Sequence, residues 1–179
     1  MMPAMDILEL AKAALALFAI VDPVGVIPIF LLATQGHTLA QSQAAARIAA
    51  LTVLGVLTLF AFVGEPLLSF FGIRLAAFSV AGGLLLLLLA LSMVQAHVSP
   101  QRQTQDEAME AEEKEAVGVV PLGVPLLAGP GAITHVIVAA GAAQGNVLHQ
   151  AALLIPVALV ALSVWLAFRA APAIARRPG

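Results

Sequence analysis

The sequence predicts an all-α integral membrane protein with five transmembrane helices, an inverted 3+3-type repeat whose sixth helix is missing. Three observations predict it. The chain of 179 residues is 61% hydrophobic and only 10% charged, whereas a soluble domain carries roughly 25% charged residues; its mean hydropathy is +1.04. Five apolar runs are long enough to cross a hydrocarbon core of ~30 Å, which takes about 20 helical residues. The first and fourth runs, helices 1 and 4 of the predicted bundle, are broken by proline and glycine in corresponding places, a pattern of transporter sites.

The first run is Ile7–Ala33, broken at Asp22-Pro23-Val24-Gly25. Its start lacks a basic region, so it reads as a retained span rather than a cleaved signal. The polar segment Thr34 to Gln43 closes it. The second run is Ala44–Val63, with Gly64-Glu65-Pro66 as its expected stop. The third, Leu67–Gln95, carries Ala81-Gly82-Gly83 at mid-depth. The fourth, Val117–Ala143, is broken at Gly129-Pro130-Gly131. The fifth is Val147–Phe168, where Pro156 reads as a simple kink.

The segment His97 to Glu115 has no apolar period and carries six carboxylates, Asp106, Glu107, Glu110, Glu112, Glu113 and Glu115. It reads as a solvated linker. The chain therefore divides into a first repeat (1–96), the linker (97–116) and an incomplete second repeat (117–179). Lys and Arg set the orientation. With the N-terminus outside, Arg47, Arg102, Lys114, Arg169, Arg176 and Arg177 lie at cytoplasmic ends, against Lys12 and Arg74 outside. That asymmetry places the linker in the cytoplasm. Three crossings separate the start of the first run from the start of the fourth, so the two broken helices cross the membrane in opposite senses.

Proline at a first helical position costs no hydrogen bond, because its N–H would be unpaired there anyway. Asp22-Pro23 thus reads as N-cap and first residue of a second half-helix, and Gly129-Pro130 reads the same way. A helix start favours anions and a helix end favours cations. A zwitterion carries both charges. Irregular backbone in hydrocarbon is tolerated only against protein or a cavity. Asp22 is the one carboxylate deep within a span, and intramembrane charge costs at least ~2.5 kcal/mol on insertion scales. The candidate substrate-binding residues are Asp22, Pro23, Gly25, Gly129, Pro130, Gly131 and Thr134. Capping is the structural alternative for Asp22, and bonding to its own backbone that for Thr134. Gly82 and Gly83 read as close-packing positions. His135, without acidic or thiol neighbours in sequence, reads as a packed or cavity-lining imidazole rather than a metal ligand.

The chain resembles the MarC/SnatA family of inner-membrane proteins. The resemblance rests on Val21-Asp22-Pro23-Val24-Gly25-Val26-Ile27-Pro28-Ile29-Phe30, on Ala81-Gly82-Gly83-Leu84-Leu85 with Met93, and on Pro121-Leu122-Gly123-Val124-Pro125-Leu126-Leu127-Ala128-Gly129-Pro130-Gly131-Ala132-Ile133-Thr134. It covers Ile7 to about Ala170. It implies a six-helix transporter, with glycine- or alanine-like amino acids associated with some members. The family pattern has a sixth helix that this sequence lacks.

The expected function is secondary transport of small neutral amino acids across the bacterial inner membrane. No cofactor is expected, and coupling to H+ or Na+ is open. A channel or a non-transporting membrane assembly protein is the alternative. An enzyme is not expected, since no H-E-x-x-H or G-x-S-x-G string occurs. The expected partners are the lipid bilayer, a zwitterionic substrate and a homo-oligomeric copy. No basic stripe points to nucleic acid, and the absence of cysteine excludes disulfides and thiolate metal sites.

Overall fold

Small residues decide which helix faces meet in this bundle. In lipid, association between helices depends on close backbone approach rather than on burying apolar surface from water. The computed structural model describes residues 7–94, 127–142 and 147–175. They form α1 (Ile7–Val21), α2 (Ile27–Ala33), α3 (Leu39–Phe70), α4 (Leu75–Val94), α5 (Pro130–Ala142), α6 (Val147–Ala152) and α7 (Leu154–Ala175). No strand occurs among the described residues. The linker His97–Glu115, the first part of the fourth apolar run up to Leu126, and Arg176-Arg177 lie outside them.

The central helix is α3. Its inward stripe is Ser42, Ala45, Ala46, Ala49, Ala50, Val53, Leu57, Ala61, Gly64 and Leu68, at helical three- and four-residue spacing. That stripe packs against α7 and α5. Adding a Cβ to Gly64 would drive it into the Ile137 side chain of α5. The facing stripe of α7 is Val157, Val160, Ala161, Val164, Phe168 and Ala171. Around this seam α1 packs on α7 and α5, α2 on α7, and α4 on α5. Phe30 of α2 stacks on Phe168 of α7 with ring centroids 4.3 Å apart, both fully buried; such pairs contribute roughly 0.5–1.5 kcal/mol. Large apolar side chains point the other way. Leu15, Leu32, Leu51, Val80 and Phe70 are each at least 60% exposed. So much outward apolar surface belongs in hydrocarbon rather than water.

Two boundaries differ from the sequence reading. The segment expected to be polar connection already starts α3, because Thr38 and Gln41 form a capping box. Gln41 N–H donates to Thr38 Oγ1 at 3.3 Å, and Thr38 N–H donates to Gln41 Oε1 at 2.8 Å. The T-x-x-Q signature was legible. At the other end the helix runs through the expected stop, Gly64-Glu65-Pro66, to Phe70. Proline withdraws one donor and bends the helix, but α3 still gains buried contacts beyond it through Leu68. The helix ends instead at Gly72, with φ +69°. Gly72 N–H donates to the Ser69 carbonyl at 3.0 Å and Ile73 N–H to that of Leu68 at 2.8 Å, the paired bonds of a Schellman ending.

The fifth run also differs. It divides at Leu153 into α6 and α7, with Pro156 in the first turn of α7, where its missing N–H matters least. Two stretches, Leu39–Phe70 and Gln150–Pro172, are each long and apolar enough to cross a membrane unaided; Leu75–Leu88 and Pro130–Ala142 are shorter apolar helices.

Candidate functional site

The first break begins where α1 ends. Asp22 N–H still donates to the Phe18 carbonyl at 2.9 Å. Asp22 itself has φ +42°, a left-handed conformation that Asp and Asn tolerate better than most residues. An N-cap residue ordinarily has extended backbone, and Asp22 departs from that. The capping bond nevertheless forms: Gly25 N–H donates to Asp22 Oδ1 at 3.0 Å, and Val26 N–H donates to the Asp22 carbonyl at 3.3 Å. Pro23 opens a turn, and regular helix resumes at Ile27 rather than at Pro23. Gly25 has a specific reason to be glycine, since an added Cβ would meet the Asp22 carboxylate. The Asp22 side chain is exposed, while Val21, Pro23 and Val26 around it are buried.

The second break matches expectation at its helix start. α5 begins at Pro130, and Ile133 N–H donates to the Gly129 carbonyl at 3.1 Å. Gly131 and Ala132 are buried. Their N–H groups fall in the first turn of α5, where a helix offers no acceptor. Thr134 is buried, and its hydroxyl donates to the Pro130 carbonyl at 2.7 Å, the self-bonded alternative weighed for it.

The two breaks share one core. Leu17, Val21 and Val26 pack in the same cluster as Leu127, Ala128 and Ala132. Both α4 and α1 lie against the start of α5, because a Cβ on Gly131 would meet Leu86 of α4 first and then Ile20 of α1. Pro23 has no N–H to give to the Ala19 carbonyl one turn back. Through the Ile20 side chain, the end of α1, where Pro23 withdraws a donor, packs against the start of α5, where the first N–H groups have no helical acceptor. The structure brings Gly129, Pro130, Gly131 and Thr134 together on one turn, with Gly131 and Thr134 buried, Gly129 half-buried and Pro130 exposed. It holds Asp22 and Gly25 on the outer side of the neighbouring turn.

Gly82 and Gly83 part company. Gly82 is buried and sits against Thr134, while a Cβ on Gly83 would meet nothing. Gly82 is thus the packing position, and its partner lies 52 residues along, beyond the reach of any local pattern. Gly82→Ala should lower the melting temperature of the purified protein, because the methyl would press on the Thr134 side chain. Overpacking costs about 1–3 kcal/mol, or roughly 2–10 °C. Adding Thr134→Ala removes the two nearest clashing atoms and should restore part of the loss; simple additivity of the two substitutions would argue against this contact.

His135 lines a cavity of about 10 Å³ with Ala13, Leu17, Val136, Ala139, Leu153, Pro156 and Val157, room for about one water. Among the described residues no three His, Asp or Glu side chains gather as metal ligands.

A bundle of apolar helices with small residues inside and large apolar ones outside defines an α-helical integral membrane protein. The chain belongs to the MarC family of integral membrane proteins, whose pattern it matches over residues 7–179. It is 38% identical over 165 residues to the UPF0056 membrane protein YhcE of Escherichia coli (strain K12), covering 92% of this chain and 76% of that one. It is 35% identical over 166 residues to the UPF0056 membrane protein YvbG of Bacillus subtilis (strain 168), covering 92% and 78%. An archaeal relative, the UPF0056 membrane protein MJ1677 of Methanocaldococcus jannaschii, is 39% identical over 137 residues, covering 75% and 65%. No solved structure matches.

Proposed function

We propose that the protein is a secondary transporter of small neutral amino acids, rather than an enzyme, with its substrate held between the two breaks. The observation that carries this reading is the meeting of unlike helix ends. Buried N–H groups at Gly131 and Ala132 suit a carboxylate, and the end of α1 beside them, together with the Asp22 carboxylate, suits an ammonium or a coupling cation. A free α-amino acid presents both groups within a few bonds. A channel or a scaffold makes no use of this pairing.

The helix pairings support an inverted repeat. Count α1–α2 as the first span, α3 the second, α4 the third, α5 the fourth and α6–α7 the fifth. Exchanging first with fourth and second with fifth turns the α1–α7 contact into the α3–α5 contact and leaves α1–α5 and α3–α7 unchanged, and all four contacts occur. The α4–α5 contact would be matched by a sixth span against α1. In the proposed topology the N-terminus lies outside a plasma membrane and the acidic linker lies in the cytoplasm, following the Lys/Arg asymmetry. Cysteines placed at Gln105 and Gln144 should label from opposite sides, Gln105 from the cytoplasm; the reverse pattern would invert the topology.

Uptake of labelled glycine and alanine into proteoliposomes tests the function. The expected result is saturable flux that accelerates when unlabelled substrate is loaded on the opposite side. Flux proportional to concentration without counter-transport would mean a pore, and no flux with any small amino acid would refute the transporter reading.

A further inference from the structure

A second feature lies away from the breaks, on the lipid-facing side of the α3–α7 seam. There a groove of about 440 Å³ is lined by Arg47, Ala50, Leu51 and Leu54 of α3 and by Ala158, Ala161, Leu162 and Trp165 of α7. Both sets follow the same spacing of three, one and three residues. The alanines, of which Ala50 and Ala161 are buried, form the floor, and exposed Leu51 and Leu162 stand at the sides. Arg169, one turn beyond Trp165, lies over the indole with its guanidinium carbon 5.0 Å from the ring centroid. Guanidinium groups are driven to the membrane surface, and tryptophan settles at the same level. Arg47 and the Trp165–Arg169 pair therefore mark one mouth of the groove, and Leu54 and Ala158 its deep end.

We propose that this groove is a binding site for an anionic phospholipid, with the phosphate held by Arg47 and Arg169 and an acyl chain lying on the alanine floor. Depth argues for this occupant. Seven residues of helix cover about 10 Å, within one leaflet of a ~30 Å core. A partner helix would make a seam along the whole span, whereas a lipid tail ends inside its own leaflet. Charge argues for the headgroup, since basic pockets between spans suit anionic headgroups and the guanidinium fork matches phosphate. The proposal rests on the membrane assignment and stands apart from the transport reading. In the N-outside topology the mouth opens to the cytoplasmic leaflet, where anionic lipids give a negative surface potential.

Trp165 is the only tryptophan in the chain, so its fluorescence reports occupancy of the groove. The full chain in phosphatidylcholine vesicles is titrated with brominated phosphatidylglycerol or, separately, with brominated phosphatidylcholine. Brominated phosphatidylglycerol should quench Trp165 at a mole fraction lower by up to about 25-fold, roughly fivefold from each of the two arginines, and high salt should reduce the preference. Arg47→Gln with Arg169→Gln should equalise the two lipids. Ala158→Phe should fill the groove and reduce quenching by both, with helical content unchanged by circular dichroism. Equal quenching by the two lipids in the native sequence, or a preference that survives the double substitution, overturns the proposal. Inorganic phosphate that abolishes the preference at matched ionic strength would assign the arginines to a free anion instead. Trp165 shielded from both brominated lipids, with a dimer by light scattering, would give the groove to a second copy.

Discussion

Gly131→Val is expected to abolish amino-acid binding. The substitution acts at the point where α5 starts, α1 ends and α4 crosses, because a Cβ there meets Leu86 and Ile20. Two consequences must be separated. One is overpacking, about 1–3 kcal/mol. The other is loss of backbone approach, since the proposed substrate carboxylate reaches the Gly131 and Ala132 N–H groups only where no side chain intervenes. Leu86 supplies the nearest atoms, from the flexible end of its side chain, and is half-buried. Gly131→Val combined with Leu86→Ala should thus recover much of the melting temperature and none of the binding. Glycine affinity that returns along with the melting temperature would reduce Gly131 to a packing residue and remove the second break from the proposed site.

Asp22→Asn should leave the fold intact and lower uptake by about tenfold, equivalent to roughly 1.4 kcal/mol of binding or barrier. The structure makes asparagine a clean replacement. It accepts the same hydrogen bond from Gly25 N–H as a cap, and it tolerates the left-handed φ of +42°. What changes is the charge. The melting temperature should move by no more than a few degrees, and Asp22→Ala, which also loses the cap, should fall further by about 1 kcal/mol. Full uptake by Asp22→Asn with a lowered melting temperature in Asp22→Ala would leave capping as the whole role of this residue.

Much of this protein was legible from one dimension. The membrane environment follows from composition, because a chain with so few charges has no way to cover a water-facing surface. The two breaks follow from Asp22-Pro23 and Gly129-Pro130, where proline's missing N–H acts locally and regardless of tertiary context. Local signals that could have placed the ends of α3 were also present, Thr38 with Gln41 at its start and Gly72 at its end. At the far end Pro66, with Gly64 and Glu65, outweighed Gly72, because a proline in water usually stops a helix. In a bundle its single lost bond is offset by packing further along, through Leu68. What no local pattern carried was partnership. That Gly82 meets Thr134, that Gly131 meets Ile20 and Leu86, and that Arg47 shares a groove with Trp165 depends on contacts between helices distant in sequence. Those contacts are selected by complementary volumes of side chains on facing stripes, and a volume has no complement until its neighbour is in place.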